Sequence, residues 1–355
     1  MSKKPLILGI ESSCDETAAS LITENEEGFP VVLSNIVSSQ VEVHKEFGGV
    51  VPELAARSHI EKIDWIVKKA IDESGRKIEE IDAVASTAGP GLIVCLSVGL
   101  SFGKAFATAM NKPFIAVNHL EGHALSPKLN TNLNYPYLLL LISGGHSQYL
   151  SVQNLGKYKR LGTTIDDALG EAFDKTAKLL GIEFPGGPQI EILAKKGDPE
   201  KYDLPKPIFS KGGCNLSFAG LKTAVLKISK TIKSEQDKYD LAASFQKTIE
   251  EILYKKTKIA FTEFEKINEL NEKIFVVAGG VAANKKIRSM LINLCEENNY
   301  KSIFPPIEFC GDNAAMIAMV GLEKFKLNQF SNLDYPAKPR WPLDEDAAFL
   351  KGAGV

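Results

Sequence analysis

The same local pattern opens each half of the sequence: a short apolar run, a polar turn and a second strand-like run. The run Leu6–Ile10 leads into the turn Glu11–Glu16, and Tyr137–Ile142 leads into Ser143–His146. Short apolar runs bounded by turn signals predict buried strands. Both halves continue as alternating strands and helices, which is typical of a layered α/β architecture. The repeat therefore predicts two duplicated α/β domains.

The length of the chain agrees with this division, since 355 residues favour about two domains. A duplication of this kind resembles the actin, sugar-kinase and heat-shock-chaperone superfamily, in which the two polar turns face each other across the phosphates of a nucleotide. The resemblance implies two actin-like domains around a central nucleotide cleft. We expect residues 1–118 and a C-terminal segment from about 322 to 355 to form the first domain, and residues 119–321 to form the second.

Composition limits the classes of function. A net charge of −2 argues against a general nucleic-acid coat protein but leaves room for a local basic face. Five scattered cysteines without C-x-x-C spacing suit a reducing compartment. The apolar runs are far shorter than the ~20 residues of a membrane span, and only Met1–Pro5 precede the first strand-like run. We expect a cytoplasmic protein with no membrane contact.

Two histidines one helical turn apart are the strongest metal signal. His119 and His123 lie four positions apart, which places both imidazoles on one face of a helix, as a divalent transition metal requires. One surface and one core histidine would be the plainer interpretation. A metalloprotease helix needs Glu directly after the first His. Here Leu120 holds that position, and Glu121 lies about 200° around the helix from each histidine, so it should point away from the metal.

Two glycine turns predict anion sites. Ser143-Gly144-Gly145 follows an apolar strand, and glycine lets successive backbone N–H groups approach a phosphate or carboxylate. A plain hairpin turn explains these residues equally well. Ala278–Asn284 is a strand-to-helix connection ending in an Asn that can cap the helix, which favours a nucleotide at the helix N-terminus. The sequence matches neither G-x-G-x-x-G nor the Walker A loop, so neither a Rossmann site nor a P-loop is supported.

Acidic residues give weaker signals. Asp312 in Gly311-Asp-Asn313 would by default cap the following helix. Glu11, Asp15 and Glu16 cluster in the first polar turn, where a kinase-like relative would place magnesium or a base. A second acidic group on a predicted helix consists of Asp166, Asp167, Glu171 and Asp174, and its last three members would share one face of that helix. The plainer interpretation is a solvated helix face.

Nine motifs in order resemble the tRNA N6-adenosine threonylcarbamoyltransferases of bacteria, a family once named O-sialoglycoprotein endopeptidase. The resemblance runs from about Leu6 to Leu343, and the ending Pro339-Arg-Trp-Pro342 is similar to the bacterial branch. The motifs are Gly9-Ile-Glu-Ser-Ser-Cys-Asp-Glu16, His119-Leu-Glu-Gly-His123, Ser143-Gly-Gly-His146, Ile165-Asp-Asp-Ala168, Gly170-Glu-Ala-Phe-Asp-Lys175, Phe184-Pro-Gly-Gly-Pro188, Ser217-Phe-Ala-Gly-Leu-Lys-Thr223, Gly279-Gly-Val-Ala-Ala-Asn284 and Gly311-Asp-Asn313.

The resemblance implies a reaction and its partners. The threonylcarbamoyl group of threonylcarbamoyl-adenylate passes to N6 of the adenosine 3′ of the anticodon, in tRNAs that read codons beginning with A. The family implies one divalent metal per subunit, Fe²⁺ in first place and Zn²⁺ as the alternative, and Mg²⁺ with the nucleotide. A smaller paralogous subunit and a P-loop ATPase are the implied partners, beside tRNA and threonylcarbamoyl-adenylate.

Roles transfer by motif onto particular residues. His119, His123 and Asp312 resemble the metal ligands, and Glu11 is the candidate for assisting proton removal. The residues that resemble substrate-binding positions are Leu141, Ile142, Ser143, Gly144, Gly145, Asp174, Gly187, Glu191 and Asn284.

Two other functions remain open on the sequence. A small-molecule kinase or ATPase of the same superfamily would use the acidic turn to bind Mg-ATP. A catalytically idle scaffold of a tRNA-modification complex would need no metal. Such a protein could lose its metal-ligating residues without loss of function. The three intact ligand positions argue against the scaffold.

Overall fold

The computed structural model describes residues 4–348. The chain forms two compact units. The first comprises the residues up to Leu133 together with Pro305–Glu345, and the second comprises Asn134–Phe304 with the chain from Asp346.

Strands of the described residues form one five-stranded sheet in each unit. In chain order they are β1 (Ile7–Glu11), β2 (Glu16–Glu24), β3 (Pro30–Ser39), β4 (Ala83–Gly89), β5 (Phe114–Asn118), β6 (Tyr137–Ile142), β7 (Ser147–Asn154), β8 (Lys157–Thr163), β9 (Ile274–Ala278) and β10 (Lys301–Ile303).

Helices flank both sheets. The α-helices are α1 (Val41–His44), α2 (Pro52–Ser74), α3 (Ile93–Ala109), α4 (His119–Leu125), α5 (Leu169–Leu179), α6 (Gly186–Ala194), α7 (Ala219–Ser229), α8 (Glu235–Ile267), α9 (Lys285–Glu297) and α10 (Ala314–Lys326). Short 3-10 helices lie at Lys45–Phe47, Ile78–Glu80, Ser126–Leu129, Gly280–Ala283 and Ile307–Phe309.

The two sheets have the same topology. Their strand orders are β3-β2-β1-β4-β5 and β8-β7-β6-β9-β10. In each sheet the first strand pairs antiparallel with the second and parallel with the fourth. The second pairs antiparallel with the third, and the fourth pairs parallel with the fifth. This identity confirms the predicted duplication and the α/β class.

Burial on both faces explains why β1 reads as a continuous apolar run. Leu8 and Ile10 belong to a core that also contains Ile66 of α2 and Leu100 of α3. Helix α10 packs against β1, β2 and β4, and Asn35 of β3 accepts a hydrogen bond from the backbone N–H of Ala315 at 3.2 Å. The start of α10 is thus fixed against the first sheet.

The unit boundaries differ from those expected. Residues 119–133 and 305–321 belong to the first unit, and Glu345 ends its C-terminal segment. Helix α4 stays with the first unit because it packs against α10, where Nζ of Lys324 lies 2.9 Å from a carboxylate oxygen of Glu121. The expected boundary at residue 118 coincides with the end of β5, whereas the first unit continues past this strand through α4.

The predicted strands at Leu6–Ile10 and Tyr137–Ile142 are confirmed to within one residue as β1 and β6, and the predicted strand-to-helix connection Ala278–Asn284 is confirmed between β9 and α9. The predicted helix through Asp166 and Asp167 is wrong at its start, because α5 begins at Leu169. Asp166 instead accepts the backbone N–H of Phe218 at 2.7 Å. Within residues 4–348, no helix has the length and hydropathy of a membrane span.

Candidate metal centre and substrate turns

Helix α4 carries both histidines directly after β5. Asn118 caps the helix by accepting the backbone N–H of Leu120 at 2.9 Å. The one-turn spacing puts the two rings side by side, with centroids 4.8 Å apart. The Nε2 atoms of His123 and His119 lie 3.1 and 3.5 Å from Oδ1 of Asp312. The structure therefore brings together the three residues that the sequence predicted as ligands.

Close approach of α4 to α10 makes this meeting possible. A Cβ added at Gly122 would lie 3.0 Å from Cδ1 of Ile317 and 3.1 Å from Cγ of Met316. A larger residue in the middle of the H-L-E-G-H motif would require the side chains of Ile317 and Met316 to move. Glu121 pairs with Lys324 and is not part of the cluster of His119, His123 and Asp312. This agrees with the helical spacing, which predicted that Glu121 points away from the metal.

Asp312 does not cap α10. The helix begins at Ala314, and the side chain of Asn313 caps it by accepting the backbone N–H of Met316 at 3.0 Å. The alternative interpretation of Asp312 as a cap is therefore wrong. Its carboxylate is left for the two histidines.

Glu11 holds the far side of the His119 ring. One of its carboxylate oxygens accepts the Thr87 hydroxyl at 2.5 Å and lies 3.0 Å from Nδ1 of His119. The other accepts the backbone N–H of Ser13 at 2.5 Å. A proton on Nδ1 that faces Glu11 leaves Nε2 of His119 free toward Asp312, which is the tautomer that a metal ligand needs.

The charges of the site are strongly coupled. Burial alone would raise the pKa of Asp312, but the positive charge and hydrogen bonds of His119, together with those of His123, hold that pKa well below its usual value. Burial alone would lower the pKa of His119, and the carboxylates of Asp312 and Glu11 raise it well above its usual value. The same pairing lowers the pKa of Glu11 against the effect of burial. The two carboxylates on opposite sides of the ring thus both favour the protonated form of His119.

These residues fit a divalent cation. Their ligand atoms lie within 4.8 Å of one another, and two imidazole nitrogens face the same carboxylate oxygen. Two histidines and one carboxylate form a donor set typical of zinc and non-haem iron. A cation at this position would supply the positive charge that the proton on His119 otherwise provides.

The remaining acidic residues of the first polar turn lie beside this centre. Burial, followed by the charges of Asp312 and Asp15, raises the pKa of Glu16 well above its usual value. The carboxylate of Glu16 accepts the Ser39 hydroxyl at 3.3 Å. Within the described residues, the metal-ligand cluster does not include Asp15 or Glu16.

In the second unit, β6 ends in the predicted turn. The backbone N–H of Ser143 donates to the carbonyl of His146 at 2.8 Å, and the N–H of His146 donates to Oγ of Ser143 at 3.2 Å. A Cβ added at Gly144 or Gly145 would meet no atom within 4 Å. Leu141 and Ile142 are fully buried, so they support the turn while its glycines face open space.

Two glycines of neighbouring elements contact this turn. The backbone N–H of Gly170, in the first turn of α5, donates to the carbonyl of Ser143 at 3.1 Å. Gly279 has φ +94°, and a Cβ there would lie 2.4 Å from the carbonyl oxygen of Ile142. The turns after β6 and β9 therefore lie in contact, and only glycine fits at position 279.

Backbone contacts link the other predicted substrate residues. Asp174 of α5 accepts the N–H of Gly186, next to Gly187, at 2.8 Å. Glu191 of α6 accepts the N–H of Lys285 at 3.1 Å. Asn284 caps α9 as predicted, and its amide donates to Gln246 at 3.0 Å.

Gly170 and Gln246 were missed as parts of this site. Gly170 belongs to one of the nine motifs, but no role was expected of it. Gln246 belongs to α8, a 33-residue helix whose apolar spacing was not recognised, so no local pattern placed it near Asn284.

Comparisons with known proteins agree on one family. The family model of tRNA N6-adenosine threonylcarbamoyltransferase matches residues 31–319. A protein of that name from Pelagibacter ubique (strain HTCC1062) is 82% identical over 355 residues, covering 100% of this chain and 99% of the relative. The Rickettsia conorii protein of the same name is 54% identical over 342 residues, covering 96% and 98%.

Solved structures show similarity of fold alone. HypF of T. kodakarensis matches with a TM-score of 0.62 and 14% identity, covering 95% of this chain and 50% of HypF. Component A of the Acidaminococcus fermentans (R)-2-hydroxyglutaryl-CoA dehydratase matches with a TM-score of 0.51 and 14% identity, covering 90% and 98%. The sequence relatives, which are named as transferases, decide against the kinase and scaffold alternatives. This chain belongs to the tRNA N6-adenosine threonylcarbamoyltransferases, enzymes that modify an adenosine of tRNA.

Proposed function

We propose that the chain transfers the threonylcarbamoyl group of threonylcarbamoyl-adenylate to N6 of the adenosine 3′ of the anticodon, in tRNAs that read codons beginning with A. The cluster of the buried His119 and His123 with the partly buried Asp312 carries this proposal. A family whose name specifies transfer to an adenosine nitrogen needs a group that activates the acyl donor, and this cluster is suited to hold one.

The chemistry of the acceptor explains that need. The lone pair of the N6 amine is delocalised into the adenine ring, so the amine is a weak nucleophile. Activation of the electrophile and precise positioning should therefore lower the barrier more than a strong base would. A base acting alone on this amine would leave the slow step, attack on the carbamoyl carbon, almost unchanged.

His119 and His123 through Nε2, and Asp312 through Oδ1, would hold the metal. Fe²⁺ is the metal we propose, with Zn²⁺ as the alternative. A divalent ion bound there would polarise the carbamoyl carbonyl or orient the phosphate leaving group. Glu11 fixes the His119 ring, and its hydrogen bonds with Ser13 and Thr87 occupy both its oxygens. We therefore assign Glu11 to positioning His119, in preference to the proton removal expected from the sequence.

The turns of the second unit would bind the donor. Backbone N–H groups at Ser143–Gly145 are suited to the phosphate of the adenylate, and the open space at Gly144 and Gly145 leaves room for it. Asn284 at the start of α9, with Asp174, Gly187 and Glu191 on the neighbouring elements, would contact the rest of the donor. Mg²⁺ would accompany the nucleotide.

Partner proteins complete the proposal. We infer that a smaller paralogous subunit and a P-loop ATPase act with this chain. The net charge of −2 supports this inference, because a chain with little excess positive charge gains affinity for tRNA when partners share the binding.

One assay tests the transfer itself. The purified chain and its partners are incubated with preformed threonylcarbamoyl-adenylate and unmodified tRNA, and the nucleosides are analysed by mass. We expect N6-threonylcarbamoyladenosine at one position of tRNAs that read codons beginning with A. Phosphoryl transfer from ATP to a small molecule without RNA, and no modified nucleoside, would refute the proposal.

A further inference from the structure

One segment of the second unit departs from the charge balance of the chain. Residues 204–234, here named the basic segment, contain no Asp or Glu and six lysines: Lys206, Lys211, Lys222, Lys227, Lys230 and Lys233. Because the whole chain carries a net charge of −2, the remainder is clearly acidic. The basic segment is therefore the natural place for a polyanion to approach.

The structure holds this segment in a defined position at two points. Lys256 of α8 is fully buried, and its ammonium donates to the carbonyls of Lys211 and Gly213 at 3.0 and 3.1 Å. Asp166 accepts hydrogen bonds from the Ser217 hydroxyl and from the backbone N–H of Phe218. The loop before α7 and the start of α7 are thus both anchored.

Helix α7 separates its apolar and basic faces. Leu221 and Val225 are buried, whereas Lys222, Lys227 and the adjoining Lys230 are exposed. At about 100° per residue, the three lysines lie within an arc of about 140°. Within residues 4–348, none of these three forms an ion pair, whereas Lys206 of the same segment pairs with Glu251. Three uncompensated positive charges therefore share one exposed face.

We propose that this face of α7 is a docking surface for the phosphate backbone of the tRNA acceptor. Lysine is a compact point charge that contacts phosphates without reading bases. Clustered lysines on an otherwise acidic chain attract a polyanion to that face and disfavour other approaches. The proposal takes from the family only that the acceptor is a tRNA.

The position of α7 within its unit suits this role. Asp166, which anchors the start of α7, lies three residues before α5. Helix α5 in turn contacts the carbonyl of Ser143 through Gly170. Contacts therefore run from the start of α7 to the turn proposed to bind the donor, so a tRNA bound on α7 and the donor would lie on connected elements of the second unit.

A pair of matched double variants tests the proposal. Lys222→Glu with Lys230→Glu reverses two charges on the docking surface. Lys178→Glu with Lys195→Glu makes the same change of net charge at two exposed lysines outside the basic segment. Binding of an unmodified full-length tRNA to each full-length protein is measured by fluorescence anisotropy over a series of salt concentrations, and folding is checked by thermal unfolding.

We expect the α7 variant to bind tRNA about 10- to 100-fold more weakly at low salt. The slope of log affinity against log salt should become shallower by about one for each phosphate that the variant no longer neutralises. The control variant should lose less than about 3-fold in affinity. Asp312→Asn should bind tRNA normally, so a failure of the metal proposal cannot imitate this result. Equal losses in both double variants, no loss in the α7 variant, or no measurable binding by the wild-type chain at low salt would overturn the docking surface.

Discussion

Oδ1 of Asp312 lies 3.1 Å from Nε2 of His123, although the two residues are 189 positions apart. Asn313, the next residue, caps α10. The Asp312 carboxylate thus stays available to the histidines at a place where an acidic residue would ordinarily serve as the cap. The chain segment before α10 thus brings the carboxylate of the candidate metal site to the two histidines of α4.

Removing His119 should abolish stable metal binding. His119→Ala deletes one of three protein ligands, and two ligands hold a divalent ion much more weakly. Elemental analysis of the purified variant should find less than about a tenth of the wild-type metal content. His44→Gln, a change at a buried histidine of α1, should keep full content. A fully loaded His119→Ala protein would refute the shared site.

Glu11→Gln should weaken the metal site without unfolding it. Glutamine keeps the size of the side chain but loses the charge that holds the proton on Nδ1 of His119. Loss of such a partner typically costs about 10- to 100-fold in metal affinity. Competition of the protein with a zinc chelator measures this change directly. Unchanged zinc affinity would show that Glu11 has no positioning role.

Acid should remove one ion pair of the first unit. Burial would raise the pKa of Glu323, but its hydrogen bond and charge pairing with Lys128, at 2.8 Å, lower that pKa overall. The folded pKa lies below the unfolded one, so the stabilisation is present above the unfolded value of 4.5 and is lost as pH falls through the folded value. Glu323→Gln should cost about 1 kcal/mol at pH 7.

Urea unfolding of the wild type and Glu323→Gln at several pH values checks this sign. The difference in free energy of unfolding should shrink toward zero as pH falls from 4.5 through the lower pKa of folded Glu323. A difference that stays constant, or grows in acid, would contradict the depressed pKa of Glu323.

The isolated chain should be a poor catalyst. Single-turnover transfer from threonylcarbamoyl-adenylate to tRNA should be slow without the smaller paralogous subunit and the P-loop ATPase, and multiple turnover should require both. A titration of each partner against a fixed amount of this chain measures the requirement. Efficient multiple turnover by the chain alone would contradict it.

Local patterns predicted the parts of the fold that depend on local burial. Tyr137–Ile142 has the predicted bounds because a central strand buried on both faces is uniformly apolar. Helix α8 was missed although Ser234 and Asp237 form a capping box at its start, which is a helix signal that sequence can show. The sequence predicted Asp167 to lie on a helix, but Asp167 precedes the start of α5. Its carboxylate forms an ion pair with the ammonium of Lys175, 2.8 Å away.

The ligands of the candidate site could be predicted in part. Spacing alone put His119 and His123 on one face and turned Glu121 away from them. Spacing could not decide between Asp312 and Asn313 as the cap of α10, because both residue types cap helices well. In the structure Asn313 is the cap, and Asp312 instead contacts His119 and His123, which lie far away in the chain.

The most direct test compares Asp312→Asn with its neighbour Asn313→Ala by metal content and transfer activity. Asp312→Asn removes the anionic oxygen, while Glu11 remains to balance the proton on His119. We predict a folded protein that loses most of its metal and its transfer activity. Asn313→Ala removes the cap and should lose about 1 kcal/mol of stability while it keeps its metal. If Asp312→Asn instead holds a full complement of metal and transfers threonylcarbamoyl at the normal rate, Asp312 is not a ligand and the proposed metal centre is wrong.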